Sequence, residues 1–338
     1  MFRNIRFASS ILTVVLLTSA WPAQGQQKPQ WMPGQVGLNA GIIPSPGFSY
    51  VNIDINYNSS AFIGPSGSAI PATGTYNVWA VENMFYGVAD VKIFGANPLA
   101  AFGLTPATGS LDADIQFPNI GLPSLSATGG GGGLADLFVE PFGLGWHEKR
   151  ADIQVGEAMI LPTGRYSPGA SNNVGTGYFG NHLLTGTTVY ITKNKGTSAS
   201  LFTDWEVHTG RQGTYGTDKT PGQAFTDEWG LGQVLPLKKN MTQLLQLGVI
   251  GYDQWQVTAN GGTIPVGSTG LSIPASTLPF YSVHAVGGQL TYILPLKSLN
   301  FYFKAEHEYK ALNHFEGNTI VFGGVWTFKI PRPAPPQK

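Results

Sequence analysis

The chain has no cysteine in 338 residues. That excludes thiol catalysis, thiolate metal sites and disulfide cross-links, so an exported protein of this kind must be held together by a large core or a closed sheet. Charge is scarce too. Asp, Glu, Lys and Arg make up 11% of the residues, under half the share of about 25% usual for a soluble domain and too little to coat a water-facing surface. Long apolar runs are missing after residue 25, none approaching the ~18 residues of a membrane helix. A membrane crossing, if there is one, is made by strands. There is no basic excess either: setting aside Arg3 and Arg6 of the N-terminal segment leaves 17 of the 19 basic residues against 19 acids. That balance gives no electrostatic footprint for nucleic acid.

What is present begins with an export signal. Arg3 and Arg6 form its charged start, Phe7 to Ala20 its apolar stretch, and Ala23, Gln24, Gly25 a small-x-small cleavage site before Gln26. Residues 1–25 are therefore expected to be removed. Residues 26–47 read as an N-terminal periplasmic lead-in, 48–328 as the folded body and 329–338 as a proline-rich tail.

Three stretches alternate with a period of two, which puts successive side chains on opposite faces of a strand. Leu201, Thr203, Trp205 and Val207 alternate with Phe202, Asp204, Glu206 and His208; Phe301, Phe303, Ala305 and Tyr309 alternate with Tyr302, Lys304, Glu306 and Glu308. Val51, Ile53, Ile55 and Tyr57 alternate with Asn52, Asp54 and Asn56. In a transmembrane barrel the apolar side of such a strand faces lipid and the polar side the lumen. Alternation bounded by Gly, Pro and Asn clusters predicts strands at 48–57, 75–86, 88–94, 134–142, 150–160, 182–192, 198–209, 225–235, 241–257, 280–294, 300–310 and 318–328. Their connections are short and long in turn. That order, with both termini at the short-turn end, fits an antiparallel transmembrane β-barrel of about twelve strands, within a range of about 10 to 14, with periplasmic turns and outer loops. Two of the short turns repeat the wording Leu, Pro, Leu, Lys, at Leu235–Lys238 and Leu294–Lys297. The last strand, with Ile320, Phe322, Gly324, Trp326 and Phe328 on one face, is similar to the closing strand of outer-membrane barrels.

Several further motifs carry a family likeness. They are Pro44 to Phe48; Leu134 to Leu137 followed by Pro141 and Leu144 to His147; Leu161 to Tyr166 with Asn173 to Gly175; Gly248 to Tyr252; and the closing region from Lys304 to Phe328. In this order and spacing the chain resembles the phenol meta-pathway degradation family of outer-membrane transport proteins. The resemblance implies an outer-membrane barrel that takes up small hydrophobic or aromatic compounds, with no catalytic residues and no cofactor. The insert at 95–133, with glycine at 129–133, is longer than the family pattern.

The lumen-lining candidates are Asp204, Glu206, His208, Lys304, Glu306 and Glu308. They select solutes if the lumen is open, or pair and fill it if it is closed. Metal binding at Asp204, Glu206 and His208 is not expected, because no further ligand in the sequence converges on them. The five glycines are not followed by a lysine and Ser or Thr, so they make no phosphate loop and are expected as a flexible loop. No Gly-x-Ser-x-Gly elbow is present, so no enzyme is expected. The expected partners are outer-membrane lipid and small hydrophobic or aromatic solutes. A secreted or periplasmic soluble β-protein that binds ligands on a sheet face is the alternative, and a purely structural barrel a further one.

Overall fold

The computed structural model describes residues 29–117, 122–167, 170–209, 212–214, 217–265 and 271–328; the expected signal segment 1–25 and the tail 329–338 lie outside them. Twelve strands make one closed antiparallel barrel. They are β1 (Gly47–Ile63), β2 (Ala72–Val88), β3 (Asn97–Leu104), β4 (Leu137–His147), β5 (Ala151–Leu161) and β6 (Phe179–Tyr190), then β7 (Thr197–Thr209), β8 (Ala224–Pro236), β9 (Leu244–Gln256), β10 (Ser282–Leu294), β11 (Leu299–Leu312) and β12 (His314–Phe328). Each strand pairs with its neighbours in the chain. The sheet closes where β12 returns to β1, from Phe48↔Phe328 to Ile63↔His314, so every barrel strand has a partner on both sides.

The connections alternate as expected. Short ones at 89–96, 148–150, 191–196, 237–243 and 295–298 lie at one end, and longer ones at 64–71, 105–136, 162–178, 210–223 and 257–281 at the other. The last is a single residue, Asn313 at φ 48°. The third strand is displaced from its expected place at 88–94 to Asn97–Leu104. The chain turns before it because the Asn97 amide donates to the carbonyls of Ala89 and Val91 at 2.9 and 3.2 Å, while Lys92 donates to its carbonyl oxygen at 2.6 Å.

The glycine run is a strand and not the flexible loop expected. Gly129 to Gly133 belong to Leu122–Leu134, which pairs with Pro106–Phe117 in a hairpin that extends β3 and β4 beyond the barrel rim. The register of Pro106–Phe117 along β2, from Ala80↔Ala107 to Ala72↔Ile115, continues that of β3. Glycine is required there because the 162–178 loop lies on the strand. Gly130 donates its N–H to the Ser171 carbonyl at 3.0 Å, and a Cβ at Gly131 would sit 2.6 Å from Arg165 Nη2.

The outer surface carries two aromatic girdles. Near the long-loop end Trp205, Phe225, Trp255, His284 and Tyr309 follow one another with ring centroids 5.5 to 6.3 Å apart. Near the short-turn end Phe102, Phe85, Phe48, Phe328 and Trp326 follow one another with centroids 4.2 to 6.2 Å apart. Between them lie exposed Leu183, Leu201, Leu231, Val249, Leu290, Phe301 and Phe322. An apolar band between aromatic belts is the exterior of a membrane-spanning barrel.

Candidate functional site

On β7 and β11 the faces fall as the alternation predicts. Asp204, Glu206, His208, Lys304, Glu306 and Glu308 are all buried on the lumen side, with Trp205 and Phe303 outside. On β1 the sides are exchanged. Ile53, Ile55 and Tyr57 point inward and are buried, while Asn52, Asp54 and Asn56 point out. Two of the outward polar groups bond within the wall: Asp54 accepts from the Trp79 indole, and Asn52 donates to the Glu82 carbonyl at 3.4 Å.

The lumen is occupied by the protein's own N-terminus. Residues 29–46, expected as a periplasmic lead-in, run inside the barrel with Leu38, Ala40 and Ile43 buried. The physical cause is a row of inward acceptors that match the segment's free backbone N–H groups, since an extended segment outside the sheet has no ladder to satisfy them. Glu206 accepts from the N–H groups of Gln30 and Trp31 at 2.8 and 2.9 Å. Glu228 accepts from the Trp31 indole and from Val36 and Gly37 N–H at 3.0, 2.7 and 3.2 Å. Gln289, Ser200 and Thr188 accept from Leu38, Asn39 and Gly41 at 2.9 to 3.1 Å. The plug's carbonyls are held by Lys304, which donates to Gly34 at 3.1 Å and to Gln35, and by Gln154 and Gln254, which donate to Ala40 and Trp31.

Shape matches as closely as charge. Leu38 sits on inward glycines of β8 and β9, where a Cβ at Gly230 or Gly248 would come within 2.8 Å of it. Trp31 stacks on Phe202 at 5.0 Å. Gly37, at φ +60° and with no room for a Cβ beside Gln289, lets the plug turn where the wall is closest.

The candidate lining residues therefore divide. Glu206 and Lys304 hold the plug. Asp204 accepts from His182 at 2.9 Å and His208 bonds the Gly222 carbonyl at 2.9 Å. Glu308 accepts from Tyr57 and Tyr252, each at 2.8 Å, and from Gly317 N–H at 2.6 Å. Glu306 alone has both carboxylate oxygens buried without a hydrogen-bond partner. His182, Asp204 and Glu206 bring ligand-type atoms within 4.8 Å of one another. There His182 Nδ1 bonds Asp204 and each Glu206 oxygen accepts from a plug N–H, while His182 Nε2 is buried without a hydrogen-bond partner. Alternation alone missed Glu228, Gln254 and Gln289, which are buried on the lumen side.

Between the plug and the opposite wall lies a cavity of about 350 Å³. The plug contributes Trp31, Met32, Pro33 and Val36; β1 and β2 contribute Ile53, Tyr57, Tyr76, Val78, Ala80 and Met84; β4 adds Phe138. Polar groups share the lining, among them Glu82, Asp136, Glu140, Gln154, Gln254 and the Tyr57 hydroxyl. The exchanged faces of β1 thus have a local reason: the inward apolar side lines this space, and Met32 of the plug packs against Ile53, Ile55 and Val321.

Comparison with known proteins adds three findings. The family described as MetA-pathway of phenol degradation matches residues 59–322. The solved COG4313 outer membrane channel from Pseudomonas putida F1 superposes with a TM-score of 0.64 at 12% identity, over 88% of this chain and 100% of that one, which shows a shared fold. The beta domain of the Bordetella autotransporter BrkA (TM-score 0.43, 10% identity, 84% of this chain and 100% of that one) and the CymD monoaromatic hydrocarbon channel (0.40, 8%, 85% and 90%) are more distant. No curated protein matches the sequence.

Proposed function

The chain belongs to the family described as MetA-pathway of phenol degradation, and from that premise we propose that it is an outer-membrane channel that admits a small hydrophobic or aromatic compound to the cavity beside its plug. The apolar band between two aromatic girdles supports the membrane site, with the short turns periplasmic. The cavity carries the rest of the reading. Its 350 Å³ exceeds the ~150 Å³ of an apolar cavity that takes up benzene, and aromatic and aliphatic side chains interleaved with hydroxyl, amide and carboxyl groups suit a ring with a polar substituent.

Passage is gated by the plug. While residues 29–46 hold their hydrogen bonds, Leu38, Ala40 and Ile43 block the rest of the lumen. Their displacement opens a path past β7 to β11. No bond is made or broken in this mechanism. Asp204, Glu206, His208, Lys304, Glu306 and Glu308 act on the plug and on the shape of the lumen instead of forming an open charged pore.

Calorimetric titration of the purified barrel with phenol and with toluene tests the cavity. Ala80→Trp fills it from a buried wall position; it should weaken binding at least tenfold, about 1.4 kcal/mol, and leave heat-modifiable folding intact. Equal binding by wild type and variant would remove the cavity from the account. The plug also fits a second reading, a purely structural barrel, which predicts no solute uptake by liposomes under any condition.

A further inference from the structure

The two ends of the barrel differ in charge. The five short turns hold Lys92, Lys149, Arg150, Lys193, Lys195, Lys238, Lys239 and Lys297 against only Asp90 and Glu148. Among the described residues, the connections at the opposite end hold Arg165 and Lys219 against Asp112, Asp114, Asp136 and Asp218. The turn cations are exposed. Three of them tie the turns to their surroundings: Lys92 to Asn97, Arg150 to the Ile191 carbonyl at 2.9 Å, and Lys195 to the Glu148 carbonyl at 3.1 Å.

The same turns expose large apolar side chains. Phe94 is 90% exposed and Leu296 82%, and Ile191, Leu237 and Met241 are exposed as well. An apolar tip next to a cation suits the boundary where acyl chains meet phosphate headgroups, because the apolar group enters the chains while the long Lys stem carries its charge to the phosphates. The turns lie just beyond the girdle of Phe48, Trp326 and Phe328, and Trp146 of β4 donates its indole N–H to the Phe94 carbonyl at 3.0 Å. The cations are also spread over all five connections, from β2–β3 round to β10–β11. A docked protein would engage one side of such a rim. A lipid leaflet surrounds all of it.

We propose that the short-turn rim is a collar that selects anionic phospholipid headgroups of the periplasmic leaflet, with Lys149, Lys193, Lys238, Lys239 and Lys297 supplying the charge and Phe94, Leu237 and Leu296 the insertion. The proposal rests on the membrane reading given above. It predicts that anionic lipid accumulates around one end of the barrel and fixes its depth and tilt.

The test is quenching of tryptophan fluorescence in the full mature chain folded into phosphatidylcholine vesicles. Brominated phosphatidylcholine is compared with brominated phosphatidylglycerol as the quencher. Wild type should favour phosphatidylglycerol about two- to fourfold, with the preference fading as salt is raised. The combined variant K149Q, K193Q, K238Q, K239Q and K297Q should lose it, while the loop-end pair R165Q and K310Q should keep it. Equal quenching by the two lipids in wild type, or a preference that survives the five-fold variant, would overturn the collar. If the five-fold variant does not fold, the salt titration of wild type decides, and a preference indifferent to salt counts against the proposal. Failure of wild type to insert into either vesicle would instead overturn the membrane reading, and the collar with it.

Discussion

Strands β7 to β11 and strands β1 and β2 line the same lumen with opposite chemistry. The first group turns Glu206, Glu228, Gln246, Gln254, Gln289 and Lys304 inward and meets the plug with hydrogen bonds, all to its backbone except that of Gln246 to the Asn39 side chain and one of Glu228 to the Trp31 indole. The second turns Ile53, Tyr57, Val78, Ala80 and Met84 inward and leaves a cavity. Outside, the difference is mirrored: β11 shows Phe301 and Phe303 to lipid, β1 shows Asn52, Asp54 and Asn56. A strand's alternation reveals that it has two faces, but what occupies the lumen decides which face goes in. A plug rich in free N–H groups asks for acceptors; a space for an apolar guest asks for hydrocarbon.

The largest effect should come from breaking the exterior half of this contrast. Phe303→Arg places a cation against hydrocarbon in the middle of β11 and should cost about 2 to 4 kcal/mol of folding free energy in lipid vesicles. Asn56→Arg extends a stripe that already carries Asn52 and Asp54 on the same face and should cost less than Phe303→Arg. Equal costs measured by denaturant titration would mean that the β1 stripe is not a distinct surface.

Next in size is the interior contrast. Glu228→Ala strips the acceptor from the Trp31 indole and from Val36 and Gly37 N–H, and losing charge-assisted bonds to groups left buried should weaken plug docking by about 3 kcal/mol. Hydrogen exchange should show faster exchange over 29–46 with the barrel strands unchanged. Protection that stays at the wild-type level would argue that packing of Leu38 and Trp31 holds the plug without the carboxylate.

A smaller change belongs to the cavity wall. Tyr57→Phe removes one donor to Glu308 and leaves Tyr252 and Gly317 N–H in place, and should cost about 1 kcal/mol in a denaturation experiment. Toluene binding should persist, because the ring remains. A variant that folds normally but loses toluene would give the Tyr57 hydroxyl a direct part in recognition.

The sequence made some of this legible and hid the rest for physical reasons. Leu201 to His208 and Phe301 to Tyr309 mix charge with aromatics so sharply that strand, face and lumen position could all be read. The order of short and long connections gave the topology. In Asn97–Leu104 both faces are apolar, with Leu99 and Ala101 inside and Ala100 and Phe102 outside, so alternation had nothing to report and the strand was placed too early. The glycine run carries no side chains and gave no sign of the loop that covers it. The plug was missed because residues 29–46 make no regular element; their fit is written in other places, in the inward glycines Gly230 and Gly248 and the buried glutamine row, which become meaningful only after the barrel is closed. Of the six lumen candidates, position was readable and partner was not, since Glu206 and Lys304 bond to backbone atoms whose identity leaves no pattern in the sequence.

The central claim is that a displaceable plug gates the channel, and the absence of cysteine from the native chain allows a direct test. Asn39→Cys with Gln246→Cys places two thiols where the plug meets β9, at side chains that hydrogen-bond each other at 2.7 and 3.0 Å, and a short bis-thiol reagent with a reducible link can join them. Toluene uptake by proteoliposomes is then measured with the link intact and after its reduction. The account predicts negligible uptake while the plug is tethered and recovery to the rate of the unlinked double variant on reduction; uptake at that full rate with the tether intact would contradict it.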